Sequence, residues 1–319
     1  MVNQMEDEVP VIDFAGLEGD QEQRKSVSRQ VAEACQTWGF FQIVNHGTNP
    51  ELMKRSKQVS KEFFYLPEQE KMKIKVGPGN IRGWNHSKLT GATGDNELVK
   101  PDTVEHIFLA QFPDDEENAK GYPLNPPSYR ATILEYAGEI RTLHSKILSV
   151  MWEMLGLSAE QVEKLISVEH MTMRTNFYPL RKESDPPGGV CHPHSDPGGI
   201  TILLADDVSG LQVKKDGRWV QVDPVPGAFI VNVGDSAEIM SNGTYKSVEH
   251  RGMPNQTQER LTIASFSGPM LEDEVGPLDE ILSERNPPRY RRDIFRNYIR
   301  SFHMRGLDGK NGLDAYKLL

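Results

Sequence analysis

Between Met171 and Ser267 the chain changes its period. Seven short runs rich in β-branched and aromatic residues follow one another, at 171–178, 199–204, 210–215, 218–222, 228–233, 247–252 and 260–267. Turn formers separate them, as in Lys215-Asp216-Gly217 and Pro224-Val225-Pro226-Gly227, which is the punctuation expected between antiparallel strands. A succession of strands with no helical pattern inside it must bury its apolar faces by stacking two sheets or closing a barrel. The preceding residues read as helices. Residues 21–37 carry Val27, Val31 and Ala34 on one face, and 50–66 open on the Asn49-Pro50 pair. Residues 127–155 place Ile133, Tyr136, Ile140, Leu143, Ile147, Val150 and Met151 at three- and four-residue spacing, the stripe of a long amphipathic helix. A short extended piece at 9–14 and a strand at 39–44 precede a Gly/Pro/Asn-rich stretch, 77–94, expected to be an irregular, mobile surface segment, and a last helix is expected at 290–304. The architecture implied is mixed α/β (α+β). A jelly-roll core with a C-terminal helix would occupy 166–306, a helical N-terminal region would pack on it from 1–165, and 307–319 would be a tail.

Composition narrows the class. In 319 residues, 37% are hydrophobic and 26% charged, with no apolar run near the roughly 20 residues a membrane span needs. The formal charge of −10 and the absence of a long Lys/Arg block disfavour a phosphate backbone as partner. Cys35 and Cys191 are too few for a disulfide framework. The acidic start (Glu6, Asp7, Glu8) lacks the basic and apolar blocks of a leader, so a cytoplasmic address is expected and the Asn-x-Ser/Thr matches at Asn85, Asn242 and Asn255 are read as accidental.

His194-Ser195-Asp196 is the densest chemical signal, because residues two apart on an extended segment project to one face and can bind one cation together. Alone it reads better as a surface turn before Pro197-Gly198-Gly199. His250 changes the balance. Two imidazoles and one carboxylate are the ligand set of oxygen-activating non-haem iron(II), and also one that a zinc hydrolase can use. His192 shares the face of His194, so His192, His194 and Asp196 form an alternative cluster. In Arg260-Leu261-Thr262 a guanidinium fork and a hydroxyl point the same way and suit a carboxylate, a pairing with no job in a zinc hydrolase. Asn176 and Tyr178 likewise share one face of their strand.

The order Asn176-Phe177-Tyr178-Pro179, His194-x-Asp196, Asn232-x-Gly234-Asp235, Ser241-Asn242-Gly243, His250-Arg251 and Arg260-x-Thr262 resembles that of the plant 2-oxoglutarate-dependent dioxygenases. Trp38-Gly39-Phe40-Phe41-Gln42-Ile43-Val44-Asn45-His46-Gly47 looks like that family's opening segment, and the resemblance runs from residue 9 to about 306. It implies a distorted double-stranded β-helix, Fe(II) held by His194, Asp196 and His250, and 2-oxoglutarate with its distal carboxylate on Arg260, Thr262 and Tyr178, near Asn176. Dioxygen would be the second co-substrate, with ascorbate supportive, and succinate and carbon dioxide the products. The family usually has serine where Thr262 stands; the hydroxyl is retained. Family position favours His194 over His192 as ligand, and His46 is read as structural.

His106, Phe108, Arg174 and Phe266 match the substrate wall of flavonoid-oxidising relatives: Phe266 could stack on an aromatic ring and Arg174 bind a phenolate or carboxylate. Residues 194–199 and 242–251 also look like the jasmonate-hydroxylating branch, which holds its acid partly with arginines on the last helix, where this chain has Ile299 and His303. The reading is a monomeric enzyme acting on a small molecule, a flavonoid such as a flavanone by hydroxylation or desaturation. A carboxylic acid hormone such as jasmonate is the alternative, and a non-catalytic ligand-binding protein on the same scaffold is the alternative of another class.

Overall fold

In the computed structural model, residues 8–77, 82–87, 104–111, 115–165, 168–180, 191–253, 255, 257–305 and 309–318 are described. After β1 (Val11–Asp13), helix α1 (Gln21–Thr37) starts at a capping box in which Asp20 and Gln23 each accept the other's backbone N–H at 2.9 Å. It ends before Gly39, whose φ of 64° turns the chain into β2 (Phe40–Val44). A Cβ at Gly39 would sit 2.1 Å from the Lys246 carbonyl oxygen, so glycine is required for this close approach to the segment leading to His250. Helix α2 (Pro50–Phe64) is capped by Asn49 with Pro50 in its first turn, and the short α3 (Glu68–Lys71) follows.

Strands β3 (Gly83–Ser87) and β4 (Val104–Ala110) come next, then the short α4 (Glu116–Ala119), the long α5 (Tyr129–Glu153) and α6 (Ala159–Leu165). The strand-rich part comprises β5 (Thr172–Tyr178), β6 (Cys191–His194), β7 (Ile200–Ala205), β8 (Leu211–Lys215), β9 (Arg218–Val222) and β10 (Phe229–Val233). Helix α7 (Asp235–Met240) then precedes β11 (His250–Gly252) and β12 (Arg260–Ser267). The small hairpin β13 (Glu274–Val275) and β14 (Asp293–Ile294), with α8 (Phe295–Arg305) and α9 (Asn311–Asp314), closes the described chain.

An eight-stranded sheet in the order β1-β2-β10-β7-β12-β5-β4-β3 faces a four-stranded sheet in the order β6-β11-β8-β9. Its outer face is covered by α1, α2 and α5: Ile107, Met173, Phe177, Ile202, Val231 and Ile263 pack there with Val31, Leu52, Phe63, Ile140 and Ile147. On the inner side, Ile230 and Leu203 meet Leu211, Val213 and Val222 of the smaller sheet. Burying this apolar surface is the main force closing the two sheets on each other. The strand period of two then sends Tyr178, Asn176 and Arg174 of β5, and Arg260, Thr262 and Phe266 of β12, to the inner side. Among the described residues no helix is long and apolar enough to cross a membrane.

Several expectations are corrected. Within 1–165, β1 and β2 stand where the extended piece and the strand were expected, β4 was not foreseen, and together with β3 they make half of the larger sheet. Within the stretch read as irregular, 83–87 is a strand paired with β4; 78–81 and 88–94 lie outside the described residues. The strand-rich part does contain a helix, α7, and an unforeseen strand, β6, while the run at 247–252 is extended only over His250–Gly252. The last helix begins at Phe295 rather than 290. Within 307–319, Gly309 pairs with His194 and Lys317 with Tyr290.

Candidate active site

One side-chain nitrogen from each of His194 and His250 and one carboxylate oxygen from Asp196 lie within 4.8 Å of one another. His194 stands at the end of β6 and His250 at the start of β11, and the two are paired in register. Their Nε2 atoms are 3.7 and 3.6 Å from Asp196 Oδ1, and their ring centroids are 4.3 Å apart. Each Nδ1 lies against a backbone carbonyl, His194 on His192 O at 2.8 Å and His250 on Val248 O at 3.1 Å. A carbonyl oxygen only accepts, so Nδ1 carries the proton in both rings and Nε2 of the neutral ring keeps its lone pair for a cation. Burial, reinforced by His194, holds His250 below the ordinary imidazole range and favours that neutral form.

Asp196 is 5% exposed. Its Oδ2 accepts the Thr201 hydroxyl at 2.5 Å and the Asn232 amide at 2.8 Å, leaving Oδ1 toward the histidines. Burial pushes this carboxyl up, but the charge that His250 and His194 carry when protonated outweighs it together with the two hydrogen bonds, and the net direction is down, toward the carboxylate. Two imidazole nitrogens and one carboxylate oxygen, each residue oriented by a second partner, fit a first-row divalent metal. His192 does not join the group and contributes its carbonyl to His194 instead. His46 bonds Gly227 O at 3.0 Å and packs on Phe229.

Arg260 is 3% exposed at the head of β12 and in register with Tyr178 of β5. Its Nε donates to Val208 O at 3.3 Å and its guanidinium carbon lies 5.0 Å from the Tyr178 ring centroid. Space for it depends on Gly210, where a Cβ would lie 2.9 Å from Arg260 Cδ. Burial raises the Tyr178 phenol, which therefore stays a hydrogen-bond donor. One row further, Thr262, Asn176 and His106 are in register across β12, β5 and β4, and Asn176 Nδ2 reaches Thr262 Oγ1 at 3.5 Å.

The next row joins Ala264, Arg174 and Phe108, and the one beyond it places Phe266 opposite Thr201, the residue that holds Asp196. Arg174 Nη2 is 3.4 Å from His106 Nδ1. Burial and then the charge of Arg174 depress His106 well below the ordinary range, so its ring accepts from the guanidinium. The Arg174 Nε is buried without a hydrogen-bond partner. His106 thus shares the row of Thr262, Phe108 that of Arg174, and Phe266 that of Thr201.

Thr201 and Glu238 escaped the sequence reading, whereas Asn85, Asn232 and Asp235 were named there without a part in this site. Asn85 of β3 pairs with His106, while its neighbour Trp84 is buried in the helical core; only that alternation could have signalled it. Thr201 and Asn232 were identifiable as polar residues at inward positions of two otherwise apolar strands. Asp235 and Glu238 are almost fully buried on α7.

Two family models match the chain: the N-terminal region of non-haem dioxygenases in morphine synthesis over residues 9–128, and the 2OG-Fe(II) oxygenase superfamily over residues 169–269. Jasmonate-induced oxygenase 2 of Arabidopsis thaliana is 38% identical over 97% of this chain and 82% of its own length. Oxoglutarate-dependent flavonoid 7-O-demethylase 1 of Ocimum basilicum is 34% identical, covering 98% of this chain and 82% of its own. A crystal structure of JOX2 in complex with 2OG, Fe and JA superposes with a TM-score of 0.86 at 36% identity, over 98% of this chain and 90% of that one.

Proposed function

The chain belongs to the 2OG-Fe(II) oxygenase superfamily, whose members require Fe(II) and 2-oxoglutarate, and from this premise we propose that His194 Nε2, Asp196 Oδ1 and His250 Nε2 hold the iron. The observation that carries the assignment is the convergence of these three atoms with both Nδ1 protons committed to carbonyl oxygens. When bound, iron and 2-oxoglutarate supply the oxidising power, the co-substrate being decarboxylated to succinate and carbon dioxide as the organic substrate is oxidised. The protein's share is binding and placement. Arg260 takes the distal carboxylate of 2-oxoglutarate in a two-pronged grip, the Thr262 hydroxyl adds a hydrogen bond, and Tyr178 closes the same end as a neutral donor. Asn176 holds Thr262, and Thr201 with Asn232 keeps Asp196 presenting one oxygen.

The chain oxidises a plant small molecule, and the wall formed by His106, Phe108, Arg174 and Phe266 supports a flavonoid as that molecule. In this reading an aromatic ring stacks on Phe266 while Arg174, oriented by neutral His106, takes a phenolate oxygen. The buried Arg174 guanidinium, whose Nε has no hydrogen-bond partner, also suits a second reading, a carboxylic acid such as jasmonate. Against it, Ile299 packs into the apolar cluster of α8, and His303 is exposed. Incubation of the iron-loaded protein with 2-oxoglutarate and a panel of flavanones, flavonols and hormone acids, read by mass spectrometry, decides between them. Oxidised flavanone supports the first reading; turnover confined to the acids replaces it with the second.

A further inference from the structure

Two buried carboxylates on α7 are unused by the chemistry above. Asp235 is 1% exposed and Glu238 3%. Asp235 Oδ2 accepts Ser195 Oγ at 3.0 Å and Tyr298 OH at 2.6 Å, its Oδ1 accepts Ser247 Oγ at 2.7 Å, and its backbone N–H donates to Asp196 O at 2.7 Å. Glu238 Oε2 accepts Ser247 N–H at 2.6 Å and Lys310 Nζ at 3.0 Å, while Oε1 accepts Tyr290 OH at 2.7 Å. Ser195 lies between two of the ligands, and Ser247 leads into the third. Tyr290, Tyr298 and Lys310 all belong to the C-terminal segment, which also touches the ligand strand directly, through Gly309 N–H on Pro193 O at 3.0 Å.

Each carboxylate therefore receives bonds from a ligand-bearing segment and from the C-terminal segment. Burying a charge is costly, and an apolar residue of similar size would serve stability as well. A carboxylate adds direction, tying three chain segments together at hydrogen-bond distance. We propose that Asp235 and Glu238 form a latch through which the docked C-terminal segment aligns the metal-ligand loops, so that its docking and metal affinity are coupled. Asp235 and Glu238 are positioning residues in this account, which rests on His194, Asp196 and His250 being the metal ligands. Coupling of this kind is reciprocal: metal binding also tightens the docking of α8.

The test uses the full chain, freed of metal and titrated with Co(II), followed by its visible absorption. The wild type should bind Co(II) and His250→Ala should not; a wild type binding no better than His250→Ala overturns the ligand assignment and the latch with it. Given that baseline, Tyr298→Phe combined with Tyr290→Phe removes the two hydroxyls and keeps the rings. It should weaken Co(II) binding by ~10- to ~100-fold, the range for losing partners that orient metal ligands, and alter the absorption band. Co(II) should slow amide exchange across 295–305 in the wild type and not in the double variant. Tyr316→Phe is the control, because this tyrosine is equally buried yet donates to Asp293 within the C-terminal segment; it should keep wild-type affinity. Unchanged Co(II) binding in the double variant, or an equal loss in Tyr316→Phe, overturns the latch. If the double variant does not fold, Tyr298→Phe alone is read against Tyr316→Phe in the same way.

Discussion

Asn232 donates its side-chain amide at 2.8 Å to Oδ2 of Asp196, the same oxygen that takes the Thr201 hydroxyl, so one carboxylate oxygen is occupied and the other faces two imidazoles. A carboxylate fixed in this way cannot rotate to present either oxygen to a metal at will. Thr201→Val and Asn232→Leu should therefore each lower Fe(II) or Co(II) affinity by ~10- to ~100-fold. Binding titrations alongside thermal unfolding check this, and unchanged affinity in both variants contradicts the orienting role.

Arg260 predicts a separable effect on the co-substrate. Arg260→Lys retains charge but loses the fork, and loss of a charge-assisted hydrogen bond costs about 1.5–3 kcal/mol, or roughly 10- to 100-fold. The KM for 2-oxoglutarate should rise by that factor while metal affinity stays put. Thr262→Ser, which keeps the hydroxyl, should be mild. Initial rates at varied 2-oxoglutarate give the answer, and an unaltered KM in Arg260→Lys removes the assigned grip.

Behind the sheet, His144 predicts part of the acid sensitivity. It is fully buried on α5, its Nδ1 is 2.8 Å from Ser267 Oγ, and burial pushes its ring down to about 3. An unfolded imidazole titrates near ~6.5. Between those two values the unfolded chain binds a proton that the folded chain refuses. Stability is thus intact above the unfolded value, declines as pH falls through the window, and reaches its full loss below the folded value. The slope reaches about 1.4 kcal/mol per pH unit per proton. Urea unfolding at neutral and mildly acidic pH should show a shallower fall for His144→Gln than for the wild type; equal slopes would count against it.

The parts of this molecule that could be read from sequence are those where one physical signal dominates. The spacing of Ile133, Ile140 and Ile147 specified α5, and the alternation of Arg260, Thr262 and Phe266 specified an inward face of β12. His194, Asp196 and His250 could be matched as residue types, but their convergence depends on the pairing of β6 with β11, which lies far outside any local window. What escaped is non-local or polar. Strands β3 and β4 put Trp84, Ile107 and Leu109 toward the helices and Asn85, His106 and Phe108 inward, and so lack the continuous apolar character that marks a core strand. Helix α7 escaped because it is one and a half turns long and buries Asp235, Ser236 and Glu238, residues that sequence patterns assign to solvent.

Phe266 and Arg174 make the substrate reading testable. Loss of stacking in Phe266→Ala should cost about 0.5–1.5 kcal/mol beyond the area buried, seen as lower kcat/KM for a flavanone with 2-oxoglutarate decarboxylation still measurable. Arg174→Ala should change product ratio as well as rate, because a misplaced C–H bond is oxidised elsewhere or not at all. Product profiles by mass spectrometry check both. If Arg174→Ala abolishes only the turnover of a carboxylic acid, the guanidinium serves that acid and the flavonoid reading is wrong.

If His194, Asp196 and His250 assemble an iron site that consumes 2-oxoglutarate, succinate release reports on it. Succinate is quantified from labelled 2-oxoglutarate for the wild type and Asp196→Ala at equal protein, with and without Fe(II), in air. Sustained succinate formation is expected from the wild type only with Fe(II), with a fall to background in Asp196→Ala. Equal succinate from the two proteins, or none from a wild type shown by metal analysis to carry iron, would rule out this iron site.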